Sequence, residues 1–313
     1  LKKNPSKGPP LFSIITPSFN RATFISQAIE SVLHQNYPNV EHIIIDGGST
    51  DGTLEVIKKY PHLRVVSGPD KGMYDALNKG LGMARGEIIG FLNTDDLYTE
   101  GSFGGVLDLF KRNRTDAVAG QAILFSRNRD NTESVIHQIR ILTEERLWRE
   151  LIYSNPGFNA WFFNRRVFEK IGTFDTSYRM SGDRDFLFKF LLSGLNFEFL
   201  EQTVYGYLAH EDSLTFSRNP SYIFQLGDEN LRLVEHYLDL VPGNARLEMQ
   251  RQRTRTSISM VARHLRLGAY KKALYYTRLG CSYDVLWPVK FVFGLFRGMF
   301  REIERKFGIY PPF

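Results

Sequence analysis

Short apolar runs that alternate with stretches of helical period leave a chain like this few architectures. Leu11–Thr16, Val40–Ile45, Leu63–Ser67 and Glu87–Leu92 are such runs, closed in turn by Pro17, Asp46, Gly68 and Asn93. Between them Phe24, Ile25, Ala28, Ile29, Val32 and Leu33 recur at helical spacing, a second helix is expected after Gly52 through Tyr60, and Ala76, Leu77, Leu81 and Ala84 mark a third. Strands that alternate with helices pair in parallel, because a parallel neighbour needs a crossover, and crossover helices cover both faces of the sheet. The fold class expected is therefore α/β with a mostly parallel central sheet. In such a sheet the loops after the strands share one edge, which is where ligands bind.

That edge carries the chemistry. The fourth run leads into Asn93, Thr94, Asp95 and Asp96, and the two adjacent carboxylates offer hard oxygen ligands of the kind that suit Mn²⁺ or Mg²⁺, ions that keep open positions for phosphates. Taken alone, such a pair is more often a solvated turn or a helix N-cap. Asp46 can accept hydrogen bonds from a base or ribose, or cap the helix that follows it. Lys71, in Pro69–Gly72, can meet phosphate or stay solvated. The turn Gly47–Gly52 lets the backbone approach a ligand closely. It lacks the spacing of a Walker loop, and no G-x-G-x-x-G follows the first strand, which argues against an ATPase and a dinucleotide-dependent dehydrogenase.

Composition narrows the setting. With 40 Lys+Arg against 34 Asp+Glu the chain carries a net +6 over 313 residues, so the location of the charge matters more than its total. Basic residues gather in the tail, without an RNP-like aromatic motif or a zinc-finger spacing, which argues against nucleic acid as a partner. Cys281 is the single cysteine, which excludes an internal disulfide and fits a reducing compartment. Lys2 and Lys3 are followed by a Pro/Gly-containing segment and not by an apolar core, so no signal peptide is expected; nor does any stretch reach the ~18–20 apolar residues of a spanning helix. The expectation is a cytoplasmic chain, soluble or peripheral on the inner face of the plasma membrane.

Four motifs, in order and spacing, carry a resemblance. Thr16-Pro17-Ser18-Phe19-Asn20-Arg21, Ile45-Asp46-Gly47-Gly48-Ser49-Thr50-Asp51-Gly52, Pro69-Asp70-Lys71-Gly72-Met73-Tyr74-Asp75-Ala76-Leu77-Asn78-Lys79-Gly80 and Leu92-Asn93-Thr94-Asp95-Asp96 look like those of the family 2 glycosyltransferases of GT-A fold, over residues 11–215. The resemblance implies that Pro17, Phe19 and Asp46 contact the nucleoside of a nucleoside-diphosphate sugar, with Thr16, Asn20, Gly48, Ser49, Lys71, Asn93 and Thr94 completing the donor site. It implies that Asp95 is the metal-binding carboxylate of a "DxD" element whose first position is here Asn93, with Asp96 and His210 as further ligand candidates. In Ser181-Gly182-Asp183-Arg184-Asp185, Asp183 matches the aspartate of an "ED"-type motif that supplies the general base; Gly182 replaces the acidic neighbour and Asp185 is the fallback.

The resemblance divides the chain into a lead-in 1–10, a nucleotide-sugar-binding half 11–125, an acceptor-side half 126–219 and a helical region 220–313. Helix is expected over Ser102–Phe110 and Arg165–Ile171, and strand over Ala117–Phe125, Trp161–Phe163 and Phe197–Ala209; residues 133–155 show no clear period. Trp161 and Tyr153 are candidates to stack on an acceptor sugar, Trp161 being the better core residue. Beyond the break at Pro242-Gly243, Ile258–Leu279 reads as a helix pair that faintly resembles half a tetratricopeptide unit. In the last segment Leu286, Val289, Phe293, Phe296, Phe300, Ile303 and Phe307 form an apolar stripe, flanked by Trp287 and Tyr310, with Lys290, Arg297, Arg301 and Arg305 on another side. Such a helix lies on an anionic membrane surface, or else packs on its own domain or a second copy of the chain. Together these features lead to the expectation of a metal-dependent, inverting glycosyltransferase acting on a glycan or lipid-linked acceptor in surface-polysaccharide synthesis, with a catalytically silent nucleotide-sugar-binding module as the alternative.

Overall fold

The computed structural model describes residues 8–113, 115–127, 132–153, 157–210 and 219–293. Most of the expected lead-in and the tail residues Phe296, Arg297, Phe300, Arg301, Ile303, Arg305, Phe307 and Tyr310 lie outside them. The chain forms two compact units, Leu1–Ser217 and Arg218–Phe313.

The first unit runs β1 (Phe12–Ser18), α1 (Ile25–Leu33), β2 (Val40–Asp46), α2 (Thr53–Ile57), β3 (Arg64–Ser67), α3 (Met73–Met83), β4 (Ile88–Phe91), β5 (Leu97–Tyr98), α4 (Ser102–Asn113), β6 (Ala117–Arg127), β7 (Glu133–Ile139), α5 (Glu144–Tyr153), a 3₁₀ turn (Phe158–Ala160), β8 (Trp161–Asn164), α6 (Arg166–Ile171), α7 (Gly182–Leu192) and β9 (Phe197–Leu208). Its sheet orders the strands β3-β2-β1-β4-β8-β6-β9-β5, with β7 added on β6. Strands β1 to β4 are mutually parallel, β8 is antiparallel to β4 and β6, and β9 is parallel to β6. It follows that β9 ends on the same edge as β1, β2, β3 and β4. Ser18, Asp46 and Ser67 stand side by side in register at that edge.

Burial explains the helices. In α1, Ile25, Ala28, Ile29 and Val32 are buried at helical spacing, and Asn36, at φ +49°, turns the chain after it. Helix α2 ends at Ile57 rather than Tyr60, the chain tightening into i→i+3 turns in which Lys59 N donates to Val56 O and Tyr60 N to Ile57 O before Pro61. Helix α3 sits flush on β1: a Cβ at Gly80 would come within 2.3 Å of Ile15 Cγ2. The core beneath the site edge is aromatic, with Phe91, Phe158, Phe163, Phe168, Phe174 and Phe186 packed ring to ring at centroid distances from 5.1 to 6.4 Å. The stretch without a sequence period proves to be β7 and α5. Strand β7 pairs with β6 while its residues stay exposed, so no buried face imposes alternation on it. Trp161 is core, at 1 % exposed.

The second unit consists of α8 (Pro220–Tyr237), α9 (Gly243–Arg266) and α10 (Tyr270–Tyr283), followed by a turn into residues 287–293. The His264 ring is stacked between Phe224 and Tyr276. Trp287, expected to flank an exposed stripe, is instead buried: its Nε1–H donates to Ser257 Oγ at 2.7 Å, and its indole fills the space that Gly280 leaves open. The reason is the cost of leaving a large apolar ring in water when a small-residue notch lies beside it. No helix among the described residues is long and apolar enough to cross a membrane.

His42 on β2 is buried beside Thr16, whose Oγ1 lies 2.9 Å from its Nε2, and burial, followed by the charge of His62, pushes its imidazole down to about 3. The unfolded chain would bind a proton there near pH 6.5 and the folded chain would not, so His42 should make stability fall as pH drops from about 6.5 toward 3, by about 1.4 kcal/mol per pH unit. Urea unfolding from pH 5 to 7.5 checks this: the wild type should lose stability with falling pH more steeply than His42→Gln.

Candidate active site

Two loops at the site edge are fastened to each other before any ligand arrives. Asp46, fully buried, accepts from Gly48 N at 3.1 Å, Ser49 N at 2.9 Å, Ser67 Oγ at 2.8 Å and Ser49 Oγ at 2.5 Å. Ser49 Oγ accepts in turn from Asn20 N, and Asn20 Oδ1 accepts from Thr50 N. Asp51 accepts from Ala22 N and Thr53 N, while Thr53 Oγ1 takes Arg21 N. A buried carboxylate with this many donors sets the turn rigidly. Asp46 thus organises its own loop and joins β2 to β3. Phe19 stands out at 58 % exposed, Pro17 is half-buried, and Lys71 is exposed. Thr16 does not line this surface, because it is fully buried with its hydroxyl engaged by His42.

The acidic loop after β4 separates the two carboxylates that the sequence sets side by side. Asp96 is 4 % exposed; it accepts from Tyr205 Oη at 2.8 Å, Asn93 Nδ2 at 3.0 Å and Leu208 N at 3.0 Å. Burial, then the neighbouring Asp95 charge, holds its carboxyl well above the ordinary carboxylate range. With its oxygens taken by three chain donors, Asp96 is a tie between the acidic loop and β9 rather than a ligand facing the edge, which corrects its expected place in the metal site. Asn93 supplies one of those donors, which an aspartate there could not do at neutral pH. Thr94 is buried.

Asp95 meets His210 instead. Asp95 Oδ2 and His210 Nε2 lie 2.9 Å apart, in side chains only 17 % and 14 % exposed, and the Phe24 ring stacks on the imidazole at 4.6 Å. That spacing suits a hydrogen bond, and also two adjacent ligands of an octahedral ion, which sit about 2.9 Å apart for Mg²⁺-like bond lengths. His210 Nδ1 is buried without a hydrogen-bond partner among the described residues. Also among them, no three His, Cys, Asp or Glu side chains gather at one point. A carboxylate and an imidazole therefore make up the described donor set, which fits an ion completed by waters and by substrate phosphates.

Asp183 stands in the first turn of α7, and two sides hold it. Its Oδ1 accepts from Tyr74 Oη at 3.0 Å and from Arg184 N at 2.8 Å, while Arg184, buried, donates Nε and Nη2 to the carbonyls of Leu151 and Ile152 that end α5. Burial raises the Asp183 carboxyl above its usual range, and the two hydrogen bonds offset part of that rise. The fallback Asp185 is 2 % exposed and pairs with Lys189 at 2.6 Å, within its own helix. Gly182 stands where the resemblance expects an acid, for a steric reason: a Cβ there would come within 2.8 Å of the Tyr74 ring.

Tyr74, Asn78 and Tyr205 were not singled out from the sequence. Tyr74 and Asn78 do carry a signal, lying four apart on one face of α3 inside the Pro69–Gly80 motif. Tyr205, within β9, carries none.

A profile of glycosyl transferase family 2 matches residues 13–172. Among curated relatives, an uncharacterized glycosyltransferase of Bacillus subtilis, EpsJ, is 27 % identical over 219 residues, which span 66 % of this chain and 63 % of EpsJ. Among solved structures, Staphylococcus aureus TarS 1-349 in complex with UDP-GlcNAc superposes with a TM-score of 0.55 at 15 % identity, covering 90 % of this chain and 92 % of that one. The mannosyltransferase PcManGT of Pyrobaculum calidifontis, in complex with GDP-Man and Mn²⁺, gives 0.53 at 17 %, covering 90 % and 87 %. These likenesses show the GT-A fold.

The role of Asn93 can be checked by stability alone. Asn93→Asp removes a donor from the buried Asp96 and sets a third carboxylate beside Asp95 and Asp96; it should cost about 2 kcal/mol, read as a melting temperature lower by several degrees.

Proposed function

Because the chain belongs to glycosyl transferase family 2, we propose that it moves a sugar from a nucleoside-diphosphate sugar to a hydroxyl of a glycan or lipid-linked glycan, with inversion at the anomeric carbon. The observation that carries this reading is the half-buried Asp183, whose donors Tyr74 Oη and Arg184 N both meet Oδ1, at an edge that also holds Asp95 with His210. Asp46 and its turn would seat the nucleoside with Pro17 and Phe19, while Asn20, Gly48, Ser49 and Lys71 would line the rest of the donor. Asp95 and His210 would hold Mn²⁺ or Mg²⁺, which supplies Lewis-acid neutralisation of the leaving diphosphate.

The transition state is oxocarbenium-like, as in glycoside hydrolysis, so the acceptor oxygen must become a better nucleophile as the sugar–phosphate bond breaks. Asp183 would take the hydroxyl proton through Oδ2 in that single in-line step. Its raised acidity range is suited to the task, since a base must both be ionised at working pH and hold the proton it accepts. A base with a raised pKa also sets an acid limb on the rate.

The exposed apolar side chains Leu286, Val289 and Phe293, at 61 %, 53 % and 70 %, support a second element of the reading: the tail docks on the anionic inner face of the plasma membrane, near lipid-linked acceptors. A second copy of the chain as occupant of that face is the competing outcome. Sedimentation with vesicles separates the two. Vesicles with a third anionic lipid should carry the protein down and zwitterionic ones should not; a concentration-dependent dimer indifferent to vesicles would point to the second copy.

The donor site is tested by calorimetry with UDP, GDP, dTDP and CDP, each with Mn²⁺ and with EDTA. One nucleotide should bind with Mn²⁺ and lose most of its affinity in EDTA and in Asp95→Ala. Asp183→Asn should keep that affinity and lose about 10²- to 10⁴-fold in transfer. Unchanged turnover in Asp183→Asn would leave a donor-binding module with its chemistry elsewhere.

A further inference from the structure

Helix α3 touches both sides of the site. At its N-terminus, Gly72 N donates to Asp70 Oδ1 at 2.8 Å and Lys71 N to Asp75 Oδ2 at 3.1 Å, and Lys79 Nζ reaches back to Pro69 O at 3.0 Å and Asp75 at 3.1 Å. These bonds fasten the Pro69–Gly72 loop to the helix. On its other face Asn78 takes both backbone groups of Phe174, donating Nδ2 to the carbonyl at 2.9 Å and accepting the N–H on Oδ1 at 3.0 Å, as a neighbouring strand would. One turn earlier Tyr74, 2 % exposed, lays its ring 5.6 Å from that of Phe174 and against Gly182, and reaches Asp183 with its hydroxyl. The segment that carries Asp183 is therefore fixed to α3 at two points, 174 and 183.

We propose that Tyr74 is the positioning residue of the catalytic base: its hydroxyl donates to Asp183 Oδ1, holding Oδ2 toward the acceptor, while Asn78 fixes the approach of the segment to the same helix. This rests on the assignment of Asp183 as base. The phenol cannot share the role of base, because burial and then the Asp183 charge hold its own ionisation well above the usual tyrosine range, so it remains a donor. A donor to the ionised form stabilises it, so the same bond keeps more of Asp183 ionised near neutral pH than burial alone would allow. Gly182 belongs to the device, since any side chain there would push the Tyr74 ring off its seat.

The test reads Asp183 directly. Protein labelled with ¹³C at the aspartate carboxyls is titrated by NMR, with Asp183→Asn assigning the resonance, and release of nucleoside diphosphate from UDP-GlcNAc and GDP-Man with Mn²⁺ is followed across pH. In Tyr74→Phe, which keeps the ring on Gly182, the Asp183 titration and the acid limb of the turnover should both move up by about one pH unit, with donor KM within twofold. 3-Fluorotyrosine at position 74, a stronger donor of nearly the same shape, should move the titration down and keeps the test open should Tyr74→Phe fold poorly. An Asp183 titration unmoved in both variants would overturn the proposal. If the titration moves while Asp183→Asn turns over at the wild-type rate, Tyr74 still positions Asp183 and the assignment of the base has failed instead.

Discussion

The buried carboxylate of Asp96 draws three donors from two parts of the chain: the amide of Asn93 three residues before it, and the phenol of Tyr205 and the backbone N–H of Leu208 on β9. A carboxylate removed from water is expensive unless its acceptor sites are filled, and here β9 supplies two of the three donors. The Tyr205 hydroxyl is itself fully used, donating to Asp96 and accepting from Asn93 N and Asn159 Nδ2. The acidic loop is thereby locked to the end of a strand more than a hundred residues away. Two residues past that strand His210 reaches Asp95, the carboxylate that Asp96 leaves free to face the edge.

A second lock holds the other side. The aromatic cluster under the edge carries Phe174 and Phe186, and so the segment that delivers Asp183; α3 ties that segment to the loop after β3 through Asn78 and Tyr74. The close seat of α3 on Ile15, permitted by Gly80, sets the height of that helix over the sheet. The distance between the strand-end loops and Asp183 is therefore a property of rigid packing and not of loop conformation, which is what the proposed transfer, dependent on near-attack geometry, requires.

Much of this was legible beforehand. Strand and helix alternation gave the parallel half of the sheet, because hydrophobic period is a local property and β1 to β4 each obey it. The Asp46 turn was readable as a site element because its glycines and short polar side chains favour a tight local hydrogen-bonded turn. Strand β7 was not readable, since exposure on its faces removes the period that burial imposes. Local pattern does not separate the two adjacent carboxylates, because adjacency says nothing of which side chain turns inward; the resemblance alone singles out Asp95.

The sequence by itself determined which residues are candidates for the proposed chemistry, as carboxylates, an imidazole and a lysine-bearing loop at strand ends, and it determined the fold class through local periodicity. Only the tertiary structure decided that Asp96 is a structural tie and Asp95 the outward carboxylate, that Asp183 is held by Tyr74 while Asp185 is withdrawn to Lys189, and that Gly182 is small to admit an aromatic ring. The physical reason is the same in each case. Burial and long-range hydrogen bonds set a side chain's direction and protonation, and those depend on β9, α3 and α7 meeting at one sheet edge, which no local pattern in the chain encodes.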